Sequence, residues 1–323
     1  LGQTGSKIKR AKKGAKSSSA SQKVIFGIFS FLGIFGFLFR SSATLRIMKI
    51  TQAILPVAGL GTRFLPWTKA VPKELLPLGN RPIIAYVVDE CLEAGIDDIC
   101  FVTSHGKESV AQYFKEDHAL RNELRRRGKE KLLDPLKHYA KAHFDVVYQE
   151  QMLGDGHAIL QATEFVKTPM VAVLFGDDLF VGDKPGLVQL IEAAQTITDK
   201  EFALIAVENI PREKTNRYGI IAVEQEMPGN PRLKKVKGLV EKPDPVKAPS
   251  TLGIVGRYLI PQSVIQSLPK VKGGKDGEIR LIDALIGKLK TLPIYALECS
   301  GTRIDTGTPE GYRKAIKTLG MLD

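Results

Sequence analysis

The chain has 323 residues, of which 43% are hydrophobic and 25% charged, enough to bury a sizeable core in one large or two modest domains. Its formal net charge of +12 suggests nucleic acid or a membrane as partner, but nine Lys and Arg and no acid fall in residues 1–47, which leaves +3 for the rest. That near balance removes the basic-patch reading, and three cysteines without CxxC spacing exclude a disulfide framework and a cysteine zinc site, as suits a reducing compartment.

Residues 1–47 read as an extension outside the main fold. A basic stretch, Lys7 to Lys16, and a serine-rich spacer precede the apolar run Val24 to Phe39 between Lys23 and Arg40, a pattern of signal peptides and membrane anchors. The run is slightly shorter than the ~20 residues of a spanning helix, contains three glycines and is followed by no convincing A-x-A cleavage site. The expectation is a reading frame that starts upstream of an initiator at Met48, with an N-terminal anchor, and hence a membrane partner, as the alternative.

From Met48 onward strands alternate with helices. β-rich apolar runs stand at Ala53 to Val57, Ile99 to Thr103, Asp145 to Tyr148, Val171 to Phe175 and Phe202 to Val207, separated by segments of helical period such as Ile83 to Ala94. The expected fold is α/β and Rossmann-like over residues 48–323: a mostly parallel central sheet flanked by helices, with a smaller β-containing portion. The charged segment Phe114 to Lys141, with Arg125, Arg126 and Arg127, reads as a helical pair at the surface. Interleaved acids and few aromatics argue against a nucleic-acid site there.

Chemistry concentrates where strands end. After Ile54-Leu55-Pro56-Val57, the turn Ala58-Gly59-Leu60-Gly61-Thr62-Arg63 lacks the Cβ atoms that would keep a ligand from the backbone, so successive N–H groups can converge on phosphate oxygens. It is neither G-x-G-x-x-G, since Phe64 stands third after Gly61, nor a Walker loop. Arg63, Lys69 and Lys73 add positive charge. Gly176-Asp177-Asp178 follows the strand Val171 to Phe175, where a carboxylate could hold Mg²⁺ between phosphates or merely cap a turn. Asp305, in Arg303-Ile304-Asp305-Thr306-Gly307-Thr308, shares the strand-then-glycine setting.

The segment from Ile54 to Leu78, with Pro66, Thr68, Lys69, Pro72, Lys73, Glu74, Leu75 and Pro77, resembles the signature of the sugar-nucleotide pyrophosphorylases, most closely the bacterial UDP-glucose type, and the resemblance runs from about Met48 to the C-terminus. It implies a nucleotide site made of Ala58, Gly59, Leu60, Gly61, Thr62, Glu74, Gln149 and Gly154. Gln149 would read the uracil edge, since its amide both donates and accepts. Glu74 would lie near the base, although it can equally be an acid at a helix N-terminus. The family's sugar-phosphate elements match Arg217-Tyr218-Gly219 and Val240-Glu241-Lys242-Pro243, implying Gly219, Glu241 and Lys242 on the sugar phosphate. Asp177 and Asp305 would bind Mg²⁺, with Asp178 as the alternative to Asp177. Thr251 to Tyr258 and Asp276 to Asp283 look like scaffold near the sugar, and Thr251 stands where the family tends to have Asn. His105 and His157 receive no role.

What the resemblance implies is transfer of a uridylyl group from UTP to glucose 1-phosphate, releasing pyrophosphate and giving UDP-glucose, in a cytoplasmic homo-oligomer, with Arg63, Lys73 and Lys242 as the catalytic cations. Alternatives are a thymidylyltransferase using dTTP, or a nucleotide-sugar binding or regulatory protein without activity. The joint presence of Arg63, Lys73, Asp177, Lys242 and Asp305 argues against the latter.

Overall fold

A computed structural model describes residues 48–320 other than 275. The extension 1–47, with its basic stretch and apolar run, lies outside the described residues. Among those described, no helix is long and apolar enough to cross a membrane.

In chain order the elements are β1 (Gln52–Pro56), the short pair β2 (Pro77–Leu78) and β3 (Arg81–Pro82), α1 (Ile83–Glu93), β4 (Asp98–Thr103), α2 (Ser109–Gln112), α3 (His118–Arg126), β5 (His143–Tyr148), α4 (Asp155–Gln161), β6 (Met170–Leu174), β7 (Asp178–Val181), α5 (Gly186–Ala194) and β8 (Ala203–Asn209). There follow β9 (Gly219–Met227), β10 (Asn230–Glu241), β11 (Leu252–Pro261), α6 (Gln262–Ile265), α7 (Leu281–Lys288), β12 (Ile294–Glu298), β13 (Thr302–Asp305) and α8 (Pro309–Thr318). All five expected strands form, as does the helix expected from Ile83. Of the expected surface pair, α3 forms, whereas Glu130–Lys141 winds as 3-10 turns around Pro135, whose missing N–H cannot sustain an α-helix.

Nine strands make one sheet in the order β5-β4-β1-β6-β11-β8-β12-β10-β9. The parallel arrangement holds from β5 to β6 and between β8 and β12. β11 instead runs antiparallel to both β6 and β8, and β10 antiparallel to β12 and β9. The turn at Gly229 lets β9 fold straight back onto β10, a route that needs no crossover helix.

Pleating sends alternate side chains to opposite faces, and the core divides accordingly. Ala53 and Leu55 of β1 join α1 and α5 in one apolar cluster, whereas Ile54 joins α4 and α7 in the other. Burial on both faces explains why β6, Met-Val-Ala-Val-Leu, is apolar throughout. Helix α1 buries Ile83, Ile84, Val87, Val88 and Cys91 on one side and ends in a Schellman turn, with Gly95 at positive φ and Ile96 N–H donating to the Cys91 carbonyl at 2.9 Å.

The order β4-β1-β6 reverses direction at β1, which opens a crevice at the carboxyl ends of these strands. The turn Gly59–Arg63 follows β1, Lys107 follows β4, Gln149 follows β5 and Asp177 follows β6.

Candidate active site

The turn after β1 is held open from behind. Gly61 takes the left-handed conformation (φ 65°), and its carbonyl accepts from Thr68 Oγ1 at 2.8 Å. Ser104 Oγ donates to the Ala58 carbonyl at 3.0 Å. Lys107 Nζ donates to the carbonyls of Val57 and Gly59, the latter at 2.7 Å, and pairs with Glu74 Oε2 at 2.9 Å. With the carbonyls engaged on that side, every N–H from Ala58 to Arg63 is without a protein acceptor among the described residues. Three turns of 3-10 helix, Thr62–Phe64, Trp67–Lys69 and Lys73–Leu75, then curl the chain back so that Lys73 returns beside Gly61. Glu74 is only 2% exposed. Burial pushes its carboxyl up and pulls the Lys107 ammonium down, each opposed by the other's charge.

Lys73 Nζ meets Asp177 Oδ2 at 2.5 Å. Burial works against both charges, but their mutual attraction prevails: Lys73 is raised and Asp177 lowered from their ordinary values, so both remain ionised at neutral pH. Asp177 and Asp305 converge although 128 positions separate them in the chain. Strands β7 and β13 pair antiparallel with Asp305 opposite Asp178, and Thr306 donates to the Asp177 carbonyl through both N–H and Oγ1 at 2.7 Å. Between the two carboxylates lies Gly307: a Cβ there would stand 2.5 Å from Asp177 Oδ2 and 3.0 Å from Asp305 Oδ1. This cradle of hard oxygen donors, with glycine leaving the space clear, fits a magnesium ion. Arg63 spans the same gap, its guanidinium donating to the Gly307 carbonyl at 3.4 Å.

Asp178, the alternative ligand, is engaged elsewhere. Its Oδ2 accepts from Gly256 N–H at 2.8 Å, its Oδ1 lies 2.5 Å from the Arg303 guanidinium, and burial raises its pKa. Among the described residues one group of three potential metal ligands exists, Asp98, His143 and Asp145, but it lies at the amino-terminal ends of β4 and β5, away from the crevice.

Two hollows of about 590 and 730 Å³ meet along Arg63, Asp155 and Phe175. Ala58 through Arg63, Lys73, Glu74, Gln149, Gly154 and Asp177 line the first; Arg63, Gly219, Glu241 and Asp305 line the second. Gly154 adopts a backbone conformation (φ 99°, ψ 177°) open to glycine, and a Cβ there would collide with the Ile279 carbonyl. Gln149 is turned differently from the expectation that it donates and accepts at once toward a base. Its Nε2 serves the Gly154 carbonyl at 2.9 Å and His157 Nδ1 at 3.1 Å, which leaves Oε1 as the acceptor. Gly219 pairs with Glu241 across β9 and β10. Two expected residues, Lys69 and Lys242, line neither hollow: Lys69 is exposed, and Lys242 has a side chain 53% exposed, a φ of +44° and an ammonium 3.3 Å from Glu241 Oε1.

Several participants carried no usable sequence signal. Lys107 sits in His105-Gly106-Lys107, outside any motif, and Thr306 is an ordinary residue until β13 reaches β7. Arg257, fully buried, binds Glu90 at 2.7 Å and donates to the carbonyls of Phe175, Gly256 and Asp178, fixing from below the loop that presents Asp177. Asp155 is one more whose role shows only in the structure. Its Oδ1 accepts from Leu281 N–H at 2.8 Å, and burial pushes its carboxyl up to about 6, the Leu281 N–H opposing and the Glu241 carboxylate adding to the rise.

An α/β sheet with a cationic, N–H-lined turn and two facing carboxylates at its carboxyl edge defines an enzyme that handles nucleotide phosphates. The chain belongs to the nucleotidyl transferase family, whose profile matches residues 52–320. It is 40% identical over 269 residues to a UTP--glucose-1-phosphate uridylyltransferase of Mycoplasma pneumoniae, covering 83% of this chain and 91% of that one. A Bacillus subtilis protein of the same name is 37% identical over 276 residues, 85% and 92% of the two chains. Among solved structures, a UTP-bound UGPase from Acinetobacter baumannii is similar with TM-score 0.77 and 36% identity, covering 84% and 94%. A UDP-glucose pyrophosphorylase complexed with UDP-glucose matches with TM-score 0.76 and 34% identity, covering 84% and 99%.

Proposed function

We propose that this protein transfers the uridylyl group of UTP to α-D-glucose 1-phosphate, forming UDP-glucose and releasing pyrophosphate. The observation that carries the reading is the meeting of Lys73, Asp177 and Asp305 at the mouth of the unspent N–H groups of the turn. The names of the relatives and the match to UTP-bound and UDP-glucose-bound structures support the choice of substrates.

A sugar phosphate is largely dianionic at neutral pH, its second pKa being about 6, so its oxygen attacks without a general base. The protein must instead bring two repelling anions together and receive the charge that gathers on the departing pyrophosphate. In this reading the backbone from Ala58 to Thr62 binds triphosphate oxygens, while Arg63 and Lys73 meet the pyrophosphate. Gln149 Oε1 accepts from the imide N–H of the base. Lys242 swings from Glu241 to the sugar phosphate, drawing it toward Gly219 and the α-phosphorus. Asp177 and Asp305 would hold Mg²⁺, which supplies charge compensation between phosphates when bound. The proposal extends to a cytoplasmic, homo-oligomeric enzyme.

Pyrophosphate release from the protein beginning at Met48 tests it, with glucose 1-phosphate and UTP, dTTP, ATP or CTP, with and without chelator. Release with UTP that chelation abolishes and Mg²⁺ restores is the expected result. Preference for dTTP would reassign the product, and silence with all four in folded protein that binds UDP-glucose would overturn the catalytic reading.

A further inference from the structure

One acid in the cleft has no task in the transfer just described. Asp155 opens α4 on the wall common to both hollows. The Leu281 N–H fixes one oxygen, the Gly156 N–H and the Arg280 charge add smaller stabilising contributions, and among the described residues no side chain donates to either oxygen and no cation forms an ion pair with it. Glu241 of β10, Arg280 from the segment before α7, and Tyr258 of β11 surround it. Arg280 is committed to Asp276 and to Glu278, the latter at 2.9 Å. Holding a carboxylate here opposes folding, because burial raises its pKa, and its bond to Leu281 N–H could be made by a neutral amide. The charge is therefore surplus to the fold, and the free oxygen adjoins the space beside Glu241.

We infer that Asp155 is a specificity-determining residue whose free carboxylate oxygen accepts a hydrogen bond from a hydroxyl of the sugar ring, so that the hexose is held between Asp155 and Glu241. A neutral, hydroxyl-rich ring is the ligand class two such acceptors suit, since each can take a charge-assisted O–H···O⁻ bond. An analogue without that hydroxyl leaves a half-buried carboxylate unpaired, which discriminates more strongly than lost contact area does. This inference rests on the uridylyl-transfer reading.

The test compares wild-type protein and Asp155→Asn, which keeps an acceptor for Leu281, in steady-state kinetics with UTP and either glucose 1-phosphate or each of its monodeoxy analogues. At one deoxy position the wild type is expected to lose about 10–100-fold in kcat/KM and the variant little or nothing, with the KM for UTP unchanged in both. The other deoxy penalties run in parallel. Equal penalties at every position in both proteins overturn the inference while leaving the transfer reading intact. Wild-type inactivity toward unmodified glucose 1-phosphate overturns the transfer reading, and this inference with it. If Asp155→Asn does not fold, Asp155→Ser, a favoured residue at a helix start with a shorter acceptor, gives the same comparison.

Discussion

Asp155→Asn should make the protein more stable at neutral pH, and the gain should depend on pH in a defined direction. Burial lifts the folded-state pKa from the ordinary 3.8 to about 6, so the folded protein binds this proton more tightly than the unfolded chain does. Below 3.8 the acid is neutral in both states and costs nothing; as pH rises through 3.8 to 6 stability falls, and above 6 the penalty is constant. At 1.36 kcal/mol per unit the full penalty is about 3 kcal/mol. Water in the open cleft screens part of it, leaving about 1–2 kcal/mol between pH 4.5 and 7.5. For a domain of this size that corresponds to a melting temperature higher by roughly 2–4 °C at pH 7.5. Urea unfolding of both proteins across pH 4–8 measures it. A pH-independent difference, or a less stable variant at pH 7.5, would refute the account of Asp155 as a charge held against its solvation preference.

Lys73→Ala should lower turnover by about 10²–10³-fold in protein that remains folded, since in the proposed transfer Lys73 acts on charge that develops on the leaving group. Near-normal kcat in a pyrophosphate-release assay would remove it from the mechanism. Glu90→Gln should cost about 3–5 kcal/mol in denaturant unfolding, because it strands the fully buried Arg257 guanidinium. The double change Glu90→Leu with Arg257→Met should recover part of that loss, and strict additivity of the two single effects would show the pair to be uncoupled.

The parts of the site that sequence revealed are those whose chemistry is local. The turn from Ala58 to Arg63 needs glycine for a left-handed backbone, so its candidate role is written into consecutive residues, and Asp177 follows one strand while Asp305 ends another. What escaped detection depends on partners distant in the chain. Lys107 is a solvated lysine by sequence and becomes a buried strut because β4 lies beside β1 and brings it under Val57 and Gly59. Arg257 sits in an apolar strand and gains its meaning from Glu90, 167 positions earlier. The antiparallel half of the sheet was equally hidden, since apolar runs such as Leu252–Pro261 do not encode strand direction. Lys242 shows the reverse: its motif was plain, but its side chain rests at the rim.

The small β7–β13 sheet bears on the order in which this enzyme comes into being. The Asp177 carbonyl accepts from Thr306, which is made long after the sheet strands that carry the turn. In order of synthesis, therefore, β1, β4, β5 and β6 all precede the Asp305 carboxylate that faces Asp177 across Gly307.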